Sequence, residues 1–132
     1  MRRILVVEDD APTRAVLLEV LNDEPDLAGE GADGGAAALE RLRAGGGVDL
    51  VLCDLAMPGV DGFQVAARLK ADAATAALPV VVITALDTAA VEAAAYAAGC
   101  VAVMAKPFDV VELAALLRGV LETAAGRPGT RR

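Results

Sequence analysis

Short apolar runs alternate along the chain with stretches whose apolar positions recur every three or four residues. The runs that predict strands cover residues 4–7, 27–30, 50–54, 79–84 and 101–104. The stretches that predict helices cover about 12–22, 35–43, 62–70, 87–99 and 109–123. Strands that alternate with helices in this way are typical of a parallel sheet with helices on both faces. We therefore predict an α/β fold of five βα units without an internal repeat.

An aspartate stands at or just before the start of each predicted helix. The five are Asp10, Asp33, Asp61, Asp87 and Asp109. An aspartate at this position accepts hydrogen bonds from the first free backbone N–H groups of a helix. Asp109 with Glu112 also has the spacing of a capping box. We interpret these five aspartates as helix caps rather than as catalytic acids.

The third run, "LVLCDLAMPG", ends on a carboxylate. Residues 50–53 are apolar on both faces, as in a strand that is covered on both sides, and Asp54 follows before a Pro-Gly turn. Glu8 and Asp9 follow the first strand in the same way. In an open parallel sheet, ligands bind beyond the carboxyl ends of the strands. If the first and third strands are neighbours, Glu8, Asp9 and Asp54 converge there.

Three carboxylates this close repel one another unless something neutralises them. A hard divalent cation with oxygen ligands, such as Mg²⁺, would do so. Thr84 ends the fourth strand and Lys106 follows the fifth, so a hydroxyl and an ammonium group would stand on the opposite rim. The best candidate for an anion between metal, hydroxyl and ammonium is a phosphoryl group.

The composition narrows the function further. A formal net charge of −7 argues against a domain that binds nucleic acid through its overall field. The chain contains no histidine, which excludes phosphohistidine chemistry and histidine-based nucleophile relays on this chain. Cys53 and Cys100 have neither CxxC spacing nor a ligand cluster, so we interpret them as buried reduced thiols.

The length of 132 residues fits a single domain, which we place at residues 1–124. Residues 125–132 are interpreted as a flexible C-terminal tail or the start of a linker. No segment is long and apolar enough for a signal peptide or a membrane span, so we expect a cytoplasmic protein that does not bind membranes.

The motifs "ILVVEDD", "LVLCDLAMPGVDGF", "VVVITA" and "KPF" occur in this order between residues 2 and about 123. In order and spacing they resemble those of the response-regulator receiver domains of two-component signalling. Similar domains are the single-domain chemotaxis regulators and the N-terminal domains of bacterial transcription regulators. The resemblance implies a flavodoxin-like, doubly wound (βα)5 fold with strand order 2-1-3-4-5 and helices on both faces.

The resemblance also implies a role for each residue at the strand ends. Asp54 would accept a phosphoryl group from a phosphohistidine on a sensor histidine kinase or a histidine phosphotransfer protein. Asp9 and Asp54 would bind Mg²⁺ directly, together with the backbone carbonyl of Ala56, and Glu8 would act through water.

At the fourth and fifth strands, Thr84 would hydrogen-bond the phosphoryl group and Lys106 would pair with it, before a cis Lys106–Pro107 bond. The chain would then be a signalling phosphoacceptor that catalyses its own phosphorylation and loses the group slowly, rather than an enzyme. Its output would pass through a downstream protein or through an output domain missing from this chain.

Two features depart from many receivers. Val103 stands where an aromatic residue commonly swings inward, so we predict that switching runs through the loop after Thr84 and the helix that follows it. The fourth helix carries no Lys or Arg, so we do not expect the dimer that one receiver subclass forms through charged pairs. The last helix is apolar over a wide arc, which indicates either an apolar docking or homodimer face on the fourth and fifth helices or a deeper packing of that helix.

Ala56 and Leu86 occupy positions that tune access of hydrolytic water in this family. Because both are apolar, neither can orient an attacking water. We therefore predict a phosphoryl lifetime of minutes or more.

Other functions fit the sequence less well. A haloacid-dehalogenase-type phosphatase needs a second Asp where Ala56 stands, and a dinucleotide-binding domain needs a Gly-rich turn where "EDDAPT" stands. A pseudo-receiver, a scaffold for protein interactions that is not phosphorylated, is the serious alternative.

Overall fold

A computed structural model describes residues 1–86 and 88–126 of the chain. The strands are β1 (Arg2–Val7), β2 (Leu27–Ala32), β3 (Leu50–Asp54), β4 (Val80–Thr84) and β5 (Ala102–Ala105). The helices are α1 (Ala11–Asn22), α2 (Gly35–Arg43), α3 (Gly62–Ala71), α4 (Ala89–Ala97) and α5 (Val110–Gly126). Each strand is followed by a helix, as the apolar pattern predicts.

The strands form one parallel sheet in the order β2-β1-β3-β4-β5. Helices α1 and α5 pack on one face, while α2, α3 and α4 pack on the other. The predicted fold class and strand order are therefore confirmed.

The strands in the middle of the sheet are apolar on both faces because helices cover both. Alternate residues of β3 belong to different core layers: Val51 and Cys53 face α2, α3 and α4, whereas Leu50 and Leu52 face α1 and α5. Cys53 and Cys100 are both buried and free, as predicted. Within the part of the chain that the structure describes, no helix has the length and apolar character needed to cross a membrane.

Three of the predicted helix caps are present. Asp10 accepts from the Thr13 N–H at 3.0 Å, and Asp61 forms a reciprocal capping box with Gln64. Asp109 accepts from the backbone N–H groups of Val111 and Glu112. These side chains hold the starts of α1, α3 and α5 beside the ends of the preceding strands.

The interpretation of Asp33 as a cap is wrong. Gly34 is the residue before α2, in an extended conformation, and no side chain caps this helix. Gly35 lies so close to the loop before α3 that an added Cβ atom would be 2.4 Å from the carbonyl oxygen of Val60. Helix α2 therefore begins in close contact with this loop and without a capping side chain.

Two predictions fall partly on residues outside the described ranges. The predicted cap Asp87 is one of them, and in the structure Thr88 caps α4 by accepting from the Val91 N–H at 3.2 Å. Helix α5 continues to Gly126, beyond its predicted end near residue 123. The rest of the predicted tail, residues 127–132, lies outside the description, so the domain boundary stays a prediction.

Candidate functional site

The polar residues singled out in the sequence lie at one edge of the sheet. Asp54 ends β3 and Thr84 ends β4, while Lys106 comes directly after β5. Glu8 and Asp9 follow β1, which pairs directly with β3. We call Glu8, Asp9, Asp54, Thr84 and Lys106 the acid site.

The three carboxylates of the acid site converge, as the strand order predicts. One carboxylate oxygen from each of Glu8, Asp9 and Asp54 lies within 4.8 Å of the others. The Glu8 side chain is 2% exposed and the Asp54 side chain 11%, whereas Asp9 is open to solvent. Two of the acids are thus withdrawn from bulk water, where their negative charges would be well screened.

Lys106 links β5 to this cluster across the sheet. Its Nζ atom lies 3.2 Å from Glu8 Oε1 and 3.3 Å from Asp54 Oδ1. Partial burial opposes the charged form of Lys106, but the charges of Asp54 and Glu8 outweigh it and raise the pKa of the ammonium group. Lys106 therefore stays protonated between the two carboxylates. The peptide bond between Lys106 and Pro107 is cis, as predicted.

Burial acts on Glu8 in the opposite sense. It raises the pKa of the Glu8 carboxyl, and the nearby charge of Asp54 raises it further, although the Asp10 N–H and Lys106 favour the ionised form. The Asp10 N–H donates to Glu8 Oε2 at 3.2 Å. Burial and the charge of Asp54 thus favour the protonated form of the Glu8 carboxyl.

Thr84 is buried at the tip of β4. It is 4% exposed, and its hydroxyl oxygen accepts from the Leu86 N–H at 3.0 Å. This bond ties the hydroxyl to the loop that leads to α4. Leu86 itself is 70% exposed, and Ala56, in the loop after β3, is also exposed, so both leave apolar surface on that side of the sheet.

The backbone around Asp54 is held from several sides. The Leu55 N–H donates to the carbonyl of Ile83, and the Lys106 N–H donates to the carbonyl of Thr84. A Cβ atom on Gly62 would lie 2.9 Å from the Asp54 carbonyl oxygen, so α3 starts in close contact with the tip of β3. A glycine at this position allows that approach.

One contact of the acid site was not anticipated from the sequence. The guanidinium group of Arg14, in the first turn of α1, donates to the backbone carbonyl of Glu8 at 2.8 Å. Because its target is a backbone atom, no pattern of side-chain spacing pointed to Arg14.

The donor set of the acid site fits a hard divalent cation. When all of them are ionised, three carboxylates and one ammonium group carry a net charge of about −2, which a divalent cation would balance. Carboxylate oxygens are the ligands that Mg²⁺ prefers in proteins. The residues present are therefore suited to hold this ion.

A family model for the response regulator receiver domain matches residues 4–118. The chain belongs to this family. It is 35% identical over 92% of its length to the DNA-binding dual master transcriptional regulator RpaA of Synechocystis sp., of which it covers 49%. It is 34% identical over 92% of its length to Protein PilH of Pseudomonas aeruginosa, of which it covers 98%. The chain spans about half the length of the first curated relatives that it matches.

Solved receiver structures share the fold of this receiver domain. The Vibrio cholerae chemotaxis protein CheY4 superposes with a TM-score of 0.84 at 23% identity, over 91% of this chain and 98% of that one. A putative response regulator from Chloroflexus aurantiacus gives a TM-score of 0.81 at 28% identity, over 92% and 99% of the two chains. Phosphoryl transfer and a divalent metal at an acidic pocket are general to this family.

The departures of this receiver domain can be located in the structure. Val103 is half-buried on β5 and packs against the core layer below α2, α3 and α4. On α5, Leu113, Leu117 and Leu121 are buried, while Val110 and Val111 are exposed. Helix α5 thus leaves a small apolar area on its first turn, and the docking or homodimer face on α4 and α5 stays a prediction.

Proposed function

We propose that this receiver domain accepts a phosphoryl group on Asp54 from a phosphohistidine of a sensor histidine kinase or histidine phosphotransfer protein. The observation that supports this most is the contact of Lys106 Nζ with both Asp54 and Glu8. It places a cation against the one carboxylate that ends a buried central strand. Because the ammonium group offsets the charge of this carboxylate, an anionic phosphoryl group can approach it without being repelled.

Mg²⁺ would be held by Asp9 and Asp54, by the backbone carbonyl of Ala56, and by Glu8 through water. When bound, the ion neutralises charge on the phosphoryl oxygens. The close approach of the three carboxylates supports this assignment.

In the transfer, a carboxylate oxygen of Asp54 attacks phosphorus and forms an O–P bond. The P–N bond to the donor imidazole breaks, its electron pair stays on that nitrogen, and the histidine leaves. Lys106 offsets the charge on the phosphoryl oxygens, and the Thr84 hydroxyl, released from the Leu86 N–H, donates to one of them. The chain contributes positioning and charge neutralisation, as phosphoryl transfer generally requires.

The proposed role is that of a cytoplasmic signalling phosphoacceptor rather than an enzyme with a separate substrate. It would catalyse its own phosphorylation and lose the group slowly. The signal would leave through the α4, β5 and α5 surface to a downstream protein or to an output domain. This domain itself would bind neither nucleic acid nor membrane.

Incubation with acetyl phosphate and Mg²⁺, followed by intact mass measurement, tests the proposal. We expect a gain of one phosphoryl group in the wild type and no gain in Asp54→Asn. Asp61→Asn is the matched control, because it also converts an aspartate to its amide but keeps a residue that caps α3 equally well. A wild type that gains nothing would instead support the pseudo-receiver scaffold.

A further inference from the structure

The turn between β1 and α1 carries two acids of the proposed metal site, and one residue outside that site holds it. The carbonyl of Glu8 accepts from the guanidinium group of Arg14 at 2.8 Å, and the carbonyl of Asp10 accepts from the backbone N–H of Arg14 at 2.9 Å. The side chain of Arg14 therefore binds the carbonyl oxygen just before Asp9, while its backbone N–H makes the first helical bond of α1 to the carbonyl just after it. Asp9 is itself open to solvent, so its position depends on the backbone that flanks it.

Further bonds in the same turn act together with Arg14. The Glu8 N–H donates to the carbonyl of Ala32 on β2 at 3.1 Å, and the Asp10 N–H donates to the Glu8 carboxylate. The first bond fixes the start of the turn to β2, and the second lies within the turn itself. The guanidinium bond of Arg14 then connects that start to α1, which sets the distance between the strand end and the helix.

The side chain of Arg14 is itself held in place by β2. A Cβ atom on Gly31 would lie 3.3 Å from Arg14 Cδ and 3.6 Å from Cγ, so the stem of Arg14 lies over this glycine. Leu18, one turn further along α1, would be 3.1 Å from the same Cβ atom. Arg14 thus reaches Glu8 with the apolar stem of its side chain against β2.

We infer that Arg14 is a positioning residue for the metal site, which holds the turn so that Glu8 and Asp9 present their carboxylates to the ion. This inference rests on the proposed function. Arg14 touches neither carboxylate within salt-bridge distance, and its bond is to a backbone oxygen. Groups that orient metal ligands from outside typically change metal affinity by about 10-fold to 100-fold when they are removed.

The sign of the effect separates positioning from plain electrostatics. A positive charge near an acidic site repels Mg²⁺, so removing the charge of Arg14 would by itself make the ion bind more tightly. Loss of the bond to Glu8 would loosen the turn and make the ion bind more weakly. Positioning therefore predicts a weaker site in Arg14→Met, although the variant is more negative.

Isothermal titration with Mg²⁺ alone tests the inference on the wild type, Arg14→Met, Arg14→Lys and Arg68→Met. We expect Arg14→Met to weaken Mg²⁺ binding by about tenfold. Arg14→Lys, which keeps the charge and one donor, should recover part of that loss. Arg68→Met is the matched control, because Arg68 is exposed on the last turn of α3 and the charge change is the same. If Arg14→Met does not fold, the Mg²⁺ affinity of Arg14→Gln is measured instead.

Unchanged or tighter binding of Mg²⁺ by Arg14→Met would overturn the role of Arg14 and leave the proposed function standing. An equal loss in Arg68→Met would overturn it as well, since the effect would then not depend on the turn. A wild type that binds no Mg²⁺ would overturn the proposed function and this inference together.

Discussion

The acid site and the surface formed by α4 and β5 are built in opposite ways. In the acid site, charged side chains at the ends of β1, β3 and β5 converge, and Lys106 forms ion pairs with two of the acids. On the α4–β5 surface, defined by the exposed residues of α4 and by Val103, most side chains are small. Of the nine residues of α4, Ala95 alone is buried, and Tyr96 is 52% exposed. The acid site is therefore held by connected polar contacts. On the α4–β5 surface, through which the signal would leave, few side chains are buried.

One substitution in each region should affect phosphorylation very differently. Lys106→Met removes the ammonium group that would offset the charge of the phosphoryl oxygens. We expect it to lower the rate of phosphorylation by acetyl phosphate by about 100-fold or more. Tyr96→Ala, on the α4–β5 surface, should leave that rate unchanged. Equal rates in Lys106→Met and the wild type would show that the acid site does not depend on its cation.

A second, smaller effect concerns the apolar rim of the acid site. Ala56 offers no side-chain group that can orient water, so an amide introduced there should speed hydrolysis of the phosphoryl group. We expect Ala56→Asn to shorten its lifetime, because an amide can orient the attacking water without taking its proton. Ala56→Leu has a side chain of similar shape without the amide and should keep the lifetime of the wild type. Intact mass measured over time gives the rate at which each protein loses the phosphoryl group. Equal rates in all three proteins would contradict this reasoning.

The third prediction asks how the two regions communicate. The Thr84 hydroxyl is bonded to the Leu86 N–H, so a phosphoryl group that draws the hydroxyl away frees the start of the loop before α4. Val103 has one stiff side-chain torsion and no ring to move. Structures with and without a phosphoryl mimic should therefore differ in this loop and in the start of α4, while Val103 keeps its rotamer. If the loop does not move and the Val103 rotamer changes instead, this prediction is wrong.

The smallest expected effect concerns the core below α4. It tests whether water is excluded from this core although only one residue of α4 is buried. Cys100 lies between α4 and β5, and its N–H donates to the carbonyl of Ala95. Burial raises the pKa of the Cys100 thiol to about 11. The unfolded thiol loses its proton near pH 8.5, so above about that pH the unfolded state binds fewer protons and the protein loses stability as pH rises.

The loss attributable to Cys100 approaches about 1.4 kcal/mol per pH unit at most, between about pH 8.5 and the native pKa. Urea unfolding of the wild type and of Cys100→Ala at several pH values from 7 to 10 would measure it. We expect the free energy of unfolding to fall less steeply in Cys100→Ala. Parallel curves for the two proteins would mean that the thiol is open to water under α4.

Much of the fold could be predicted because the strands in the middle of the sheet are buried on both faces. Such strands are continuous apolar runs, and the polar residues at their tips then stand out, as Asp54 and Lys106 do. Since parallel strands share one carboxyl edge, their order brings Glu8 and Asp54 together without further information.

Other features depend on contacts that the local sequence does not carry. At the start of α2, Gly35 packs closely against Val60, which lies 25 positions further along the chain. No side chain caps this helix, so the acid at position 33 is a misleading signal. Arg14 reaches a backbone carbonyl, and any residue type at position 8 would offer the same atom. Contacts of this kind become visible only when the packing of α1 on β2 is known.

The most direct test of the account is transfer from a P–N donor to Asp54. Monophosphoimidazole has the bond that breaks in a phosphohistidine, and the modified residue can be mapped by mass spectrometry after fragmentation. We predict one phosphoryl group on Asp54 in the presence of Mg²⁺ and almost none when Mg²⁺ is chelated. A phosphoryl group on another residue, or equal labelling with and without the metal ion, would contradict the account.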